Sequence, residues 1–325
     1  MMQRRTLLAS PLALGLASPA IAQAPWPNRP MRVIVGFPPG GSLDVLSRLM
    51  AEELSRRTGQ PVVVENRAGA AGNIGADAVA KAAPDGTTIG TIGFTVPLTA
   101  PVLFNRLPFD AEKDFAWVSE VWELPNVAVV PAAHVPARNI AEFVAWARQQ
   151  PRGISYGSPG VGTSPHLSAA LFLHRLGIAG EHVPFRGAAQ TIPAILSGDV
   201  HFAIDNLASY VPVIQEGRMR ALGVTSAERW PTMPDVPTLQ EAAGAAGFAA
   251  VSWTMWAFPA GTPERMVRRL AEEIAAINST PAIAERALLM GGRLLHGGPE
   301  AARARIERER GLWTDMVRIS GARME

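Results

Sequence analysis

Two glycine-rich stretches carry the chemistry that this chain's residue types and spacing allow, and in both it is the holding of an anion. The first, Gly36-Phe37-Pro38-Pro39-Gly40-Gly41, follows the apolar run Met31 to Val35. It precedes a stretch from Ser42 to Arg56 in which Leu43, Leu46, Leu49, Met50 and Leu54 recur at helical spacing. Amides at such a strand-to-helix junction are unpaired and lie at the positive end of the helix dipole, so a carboxylate or phosphate is held there without a charged side chain. The candidates are Phe37, Gly41, Ser42 and Asp44. Ser42 is the natural cap, and its hydroxyl is a further donor beside the Gly41 and Ser42 amides. Asp44 repels an anion; its open roles are to cap the helix, to orient a water or to bind a ligand amino group. The second stretch, Tyr156 to Leu167, has Gly157, Gly160 and Gly162 for close backbone approach, and the hydroxyls of Ser158 and Thr163 just before another helix. His166, in that helix's first turn, is either a structural hydrogen-bonder or a ligand contact. Arg186 follows a strand and is either an exposed arginine or a partner for a carboxylate through two hydrogen bonds. Asp205 ends another strand, where it fixes a water or a ligand hydroxyl. The plain alternative for both stretches is that their glycines only permit tight turns.

Catalytic and cofactor chemistries lack their residues. The chain has no cysteine, which excludes a thiol nucleophile, a thiolate metal site, a disulfide and a lipoprotein anchor. The closest approach to a serine elbow, Tyr156-Gly157-Ser158-Pro159-Gly160, lacks the leading glycine, and Pro159 disrupts the turn. The histidines at 134, 166, 174, 182, 201 and 296 include no HExxH pair. Gly160-Val161-Gly162 is not followed by the third glycine of a dinucleotide fingerprint. No metal and no cofactor is expected. The one acid–base pair open to an exported hydrolase or isomerase is Asp44 with His166, facing each other across a cleft. The formal net charge of +2 is matched by Arg4 and Arg5 alone, and no basic run is interleaved with aromatics, so nucleic acid is not an expected partner.

Strand and helix signals alternate, which predicts α/β layers. Val33–Val35, Val62–Glu65 and Thr88–Ile92 are short β-rich runs with helical stretches at Asp44–Arg56 and Asn73–Ala82 between them. A second series, from Val127–Val130 to Ala221–Val224, can form its own sheet. The last segment, after Ser252, has a strand and three helices but no complete sheet, so it returns to the first lobe. The expected organisation is residues 23–123 and 253–325 in one α/β lobe and 124–252 in the other, with crossings near 120–126 and 237–253. Ligands of open α/β sheets sit beyond the carboxyl ends of strands, so the loops named above face the cleft. Residues 1–22, with Arg4 and Arg5, an apolar stretch from Leu7 to Ala17 and small residues at Ala20 and Ala22, predict a secretory signal cleaved after Ala22. The arginine pair also suits the twin-arginine route, and the export route stays open.

Several segments in order, VGFPPGGSLD, GQPVVVENRAGAAGNIGADAVAKAAPDG, VPFRGAAQTIPAILSGDV, MRALGVTSAERWPTMPDVPTLQEA and FPAGTPERMVRRL, resemble the extracytoplasmic solute receptors of tripartite tricarboxylate transporters, the Bug receptors. The resemblance implies a two-lobed periplasmic-binding-protein fold (type II, the Venus flytrap), no enzymatic activity, a periplasmic monomer, a small carboxylate ligand, and delivery to membrane transporter subunits. A sensor subunit is the other receptor role. The resemblance also implies that Gly93, Phe94 and Thr95 line the cleft, matches His166 to a position often histidine, and matches Asp205 to an acidic residue at a strand end. The chain departs from the family pattern at Ala100-Pro101, where an Asn-Pro step is usual.

Overall fold

A computed structural model describes residues 26–243 and 248–324; the expected signal segment 1–22 lies outside the described residues. The opening unit is β1 (Met31–Val35), α1 (Ser42–Thr58), β2 (Val62–Asn66), α2 (Asn73–Ala80) and β3 (Thr88–Gly93). β1 lies between β2 and β3, parallel to both. One π-helical turn over Thr95–Thr99 and α3 (Ala100–Leu103) lead to β4, a single strand of 17 residues (Phe115–Pro131). There follow α4 (Ile140–Arg148), β5 (Ile154–Ser158), α5 (Ser164–Leu176), β6 (Gly180–Pro184), α6 (Ala188–Leu196), β7 (Phe202–Asn206), α7 (Leu207–Gln215) and β8 (Met219–Val224). The chain ends with α8 (Leu239–Ala243), β9 (Val251–Pro259), α9 (Glu264–Asn278), α10 (Pro281–Leu289), β10 (Arg293–Leu294) and α11 (Pro299–Ser320).

These elements make two α/β lobes that share β4. Over Phe115 to Pro125 that strand pairs antiparallel with β9, which pairs in turn with β3, and Trp122 and Glu123 also pair with β10. From Asn126 onward its partners are β7 and β8. Parallel β5 links β7 to β6. The chain's return between the lobes is stitched at the same level: the Thr225 amide donates to Asn126 O and the Ala250 amide to Thr225 O.

A strand central to two sheets is covered on both faces, and Val118, Val121, Trp122, Leu124 and Val127 to Val130 are accordingly buried. The sequence offered only Val127–Val130 as a run here, because Pro125, which has no amide to donate, interrupts the pattern at the point where the strand changes partners. In the first lobe, Leu46, Leu49, Met50 and Leu54 of α1 and Val267, Leu270, Ile274 and Ile277 of α9 form one core, each set spaced as a helical stripe requires. In the second, Ile195 of α6 and Leu207 and Tyr210 of α7 pack with Val127, Val129 and Ala203 of the sheet beneath them. α7 was absent from the sequence expectation, since Pro212 stands inside it.

Candidate functional site

The loop after β1 is held in place by the residue that was expected to cap, orient or bind. Asp44 accepts from the Gly40 amide (2.9 Å), from Arg48 (Nη2, 2.8 Å) and from Asn66 Nδ2 (2.8 Å), and Asn66 also donates to Phe37 O (3.0 Å). Burial pushes its carboxyl up, but the hydrogen bonds from Arg48, Gly40 and Asn66 outweigh this and hold it below the usual carboxylate range. Asp44 is thus the clasp of the loop. Ser42 is not the cap: Gly41 is, with no side-chain bond, and Asp44 reaches back instead. The loop lies directly against the backbone before α2, where a Cβ on Gly36 would stand 2.6 Å from Gly72 O.

The second-lobe loop is likewise braced from behind. His166 Nδ1 accepts from the Gly162 amide (3.1 Å), and its ring stacks on His182 with centroids 3.9 Å apart. His182 Nε2 lies 2.7 Å from Ser158 Oγ, which also donates to Gly160 O, and Thr163 Oγ1 donates to the same carbonyl (2.7 Å). Burial, with a smaller push from His182, takes His166 down to about 3, and burial takes His182 to about 4. Both are neutral at ordinary pH, and their hydrogen bonds serve the loop.

Between the lobes lies a cavity of about 250 Å³. Of the residues singled out from the sequence, Phe37, Gly41, Ser42, Gly93, Phe94, Thr95, Thr163, Arg186 and Asp205 line it. Asp44, Ser158, Gly162 and His166 do not: each is consumed by the bracing just described. The pair proposed for catalysis, Asp44 and His166, therefore does not meet in the cavity.

The cavity is built from helix starts. Gly41 and Ser42 open α1, Thr163 and Ser164 open α5, Gly187 and Ala188 open α6, and Asn206 opens α7, and all of them line it. Each first turn leaves amides without intrahelical partners, and each carries about half a positive charge. Arg186 is the cationic side chain among the lining residues, and Asp205 is the acidic one. Asp205 is 1% exposed; it accepts from the Asn206 amide (2.7 Å) and from Tyr210 Oη (2.9 Å). Burial pushes it up to about 7 against both hydrogen bonds.

The sequence reading missed the floor. Asn126, fully buried where β4 changes partners, accepts from Asn206 Nδ2 (2.6 Å) and from Ser164 Oγ (3.4 Å), and Ser164 and Ser252 share a hydroxyl–hydroxyl bond. Ser164, Ser209 and Ser252 line the cavity, as do Trp253 and Thr254. Ser164 lies within the stretch Tyr156–Leu167, at the first position of α5. Ser209 and Ser252 carry no local signal, since their place depends on α7 and on the pairing of β9.

Residues 46–293 match the family model described as tripartite tricarboxylate transporter family receptor. The chain is 33% identical over 312 residues to protein BugT of Bordetella pertussis, covering 96% of this chain and 95% of that one. It superposes on the solved structure of Rpa4515 of R. palustris with adipate at a TM-score of 0.87, with 33% identity, covering 92% of this chain and all of that one. For MatC from Rhodopseudomonas palustris with bound malate the TM-score is 0.81 at 30% identity, covering 90% of this chain and all of that one. With its two lobes, its intervening cavity and these relatives, the chain is a receptor and not an enzyme, and it belongs to the tripartite tricarboxylate transporter receptor family, the Bug receptors.

Proposed function

We propose that this protein is a periplasmic receptor that captures a small organic carboxylate between its lobes and delivers it, as a monomer, to the membrane subunits of a tripartite transporter. One observation carries the reading: four helix N-termini, one from the first lobe and three from the second, converge on a single cavity with Arg186 at its wall. Partial charges fixed in the backbone hold an anion without the desolvation cost of several buried cations. Because the seats come from both lobes, an anion in the cavity stabilises the closed arrangement over the open one. The lobes are taken to meet near residues 123–124 and 252–253, and the change of partners along β4 supports a hinge there. Relatives solved with adipate and with malate support the carboxylate class.

The test is thermal unfolding of the mature protein, stripped of co-purified ligand by unfolding and refolding, against a panel of di- and tricarboxylates, aromatic acids and amino acids. A ligand at about 100 times its dissociation constant adds roughly 2.7 kcal/mol. The expected result is a shift with at least one acid, recovered chemically unchanged, that shrinks in Arg186→Gln. Consumption of the acid, or no shift with any member, refutes the proposal.

A further inference from the structure

Behind the cavity wall, α11 presents a largely buried charge cluster whose residues do not line the cavity and yet grip two of its lining segments. Glu309 Oε2 accepts from the indole of Trp253 (2.6 Å) and from that of Trp313 (3.0 Å). Trp253 belongs to the lining run Ser252–Thr254 of β9, and its carbonyl accepts from the amide of Phe94, in the lining run that ends β3. Trp313 packs on Phe94 with centroids 4.0 Å apart and the rings tilted by 30°. The other oxygen of Glu309 accepts from Arg305 Nε (2.8 Å), and Arg305 reaches Glu120 and Glu123 of β4, at 3.0 Å each. Glu123 in turn accepts from Arg293, whose guanidinium lies 5.3 Å from the ring centre of Trp230 in the core of the second lobe.

We propose that Glu309 is a positioning residue for ligand selectivity: by holding Trp253 and Trp313 against the fixed charge of Arg305, it sets the spacing of the wall formed by Gly93–Thr95 and Ser252–Thr254. A carboxylate suits this role because each of its oxygens accepts on a different side. Glutamine does not, since one end of its amide is a donor and must face either Arg305 or the two indoles. The cluster of Arg293, Arg305, Glu120, Glu123 and Glu309 holds two cations and three carboxylates, so Glu309→Gln leaves its charges balanced and the fold retained. Its effect falls on the wall.

For one readout the inference rests on the carboxylate binding proposed above, and for the other on no ligand at all. In ligand-free protein with labelled tryptophan, the indole N–H resonances of Trp253 and Trp313, assigned from Trp253→Phe and Trp313→Phe, move upfield in Glu309→Gln. Acrylamide quenching of the Trp253 fluorescence rises in the same variant. With malate and adipate as probes, the ratio of the two affinities changes by about tenfold, within the range for changes that act through a packed network. In the Trp253→Phe/Trp313→Phe background the same substitution leaves that ratio within about twofold, because both intermediaries are gone. Unmoved indole resonances overturn the proposal, and so does an equal fall in affinity for both acids. If the wild type binds neither acid, the ratio is read with two acids of the panel above that do bind; if none binds, the carboxylate reading fails by itself, and the indole shift with the quenching decides the clamp.

Discussion

Asp205 is a carboxyl that folding penalises, and the penalty is measurable. Its ordinary value of 3.8 rises to about 7 in the folded protein, with burial as the leading cause. A carboxyl raised on folding binds its proton more tightly in the folded state, so its stabilising contribution is complete below about pH 4 and is lost as pH rises through about 7. The displacement of about three pH units, at about 1.4 kcal/mol for each, corresponds to roughly 4 kcal/mol between the two limits. Asn in place of Asp205 keeps an oxygen for the Asn206 amide and turns a donor towards Tyr210, whose hydroxyl also accepts. Imperfect geometry at these two bonds costs about 1–2 kcal/mol at every pH. Asp205→Asn is therefore expected to stabilise the ligand-free protein by about 2–3 kcal/mol at pH 8 and to destabilise it by about 1–2 kcal/mol at pH 4. Urea unfolding at the two pH values, compared by midpoint at a common slope, measures the difference. The same change removes a negative charge from the cavity wall, so anion affinity in the variant no longer falls between pH 6 and 8. A loss of stability of equal size at both pH values would refute the reasoning, since it would show that Asp205 is paid in full by its hydrogen bonds and carries no net burial penalty.

Two further predictions follow from the bracing of the loops. Asp44→Ala leaves the Gly40 amide, Arg48 and Asn66 without their shared acceptor; with the carboxylate buried but Arg48 half exposed, the loss costs about 1–3 kcal/mol, and a calorimetric titration should show a parallel loss of ligand affinity, whereas unchanged affinity would mean that the loop does not need its clasp. His166 and His182 are held neutral by burial at about 3 and about 4 against an ordinary 6.5, so protons bind the unfolded chain first and stability falls as pH drops from about 6.5 towards 3; replacing His182 by Gln should flatten part of that slope in urea melts, and an unaltered slope would assign the acid sensitivity to other groups.

The β-α-β-α-β opening, the two glycine loops and the alternation of strands and helices were legible because they are local: apolar spacing, turn residues and helix starts lie within a few positions of one another. The loops on the cleft followed from the rule that ligands sit beyond strand ends, which needs only the order of elements. What each loop residue does was not legible. Asp44, Ser158, Gly162 and His166 have the chemistry of ligand contacts, but their partners are Arg48, Asn66, His182 and the loops' own backbone. Hydrogen bonds are exclusive, and only the packed chain shows which donor has already been taken. The remaining half of the site comes from long-range pairing. Ser209 stands in a helix hidden by its proline, and Ser252 and Trp253 reach the cavity through β9, placed between β3 and β4 from more than a hundred residues away. Sequence by itself therefore determined the two glycine loops and the helix starts that follow them, since these depend on local turns and spacing; tertiary structure alone decided which of their groups remain free to face the cavity, since that depends on which distant groups satisfy the rest.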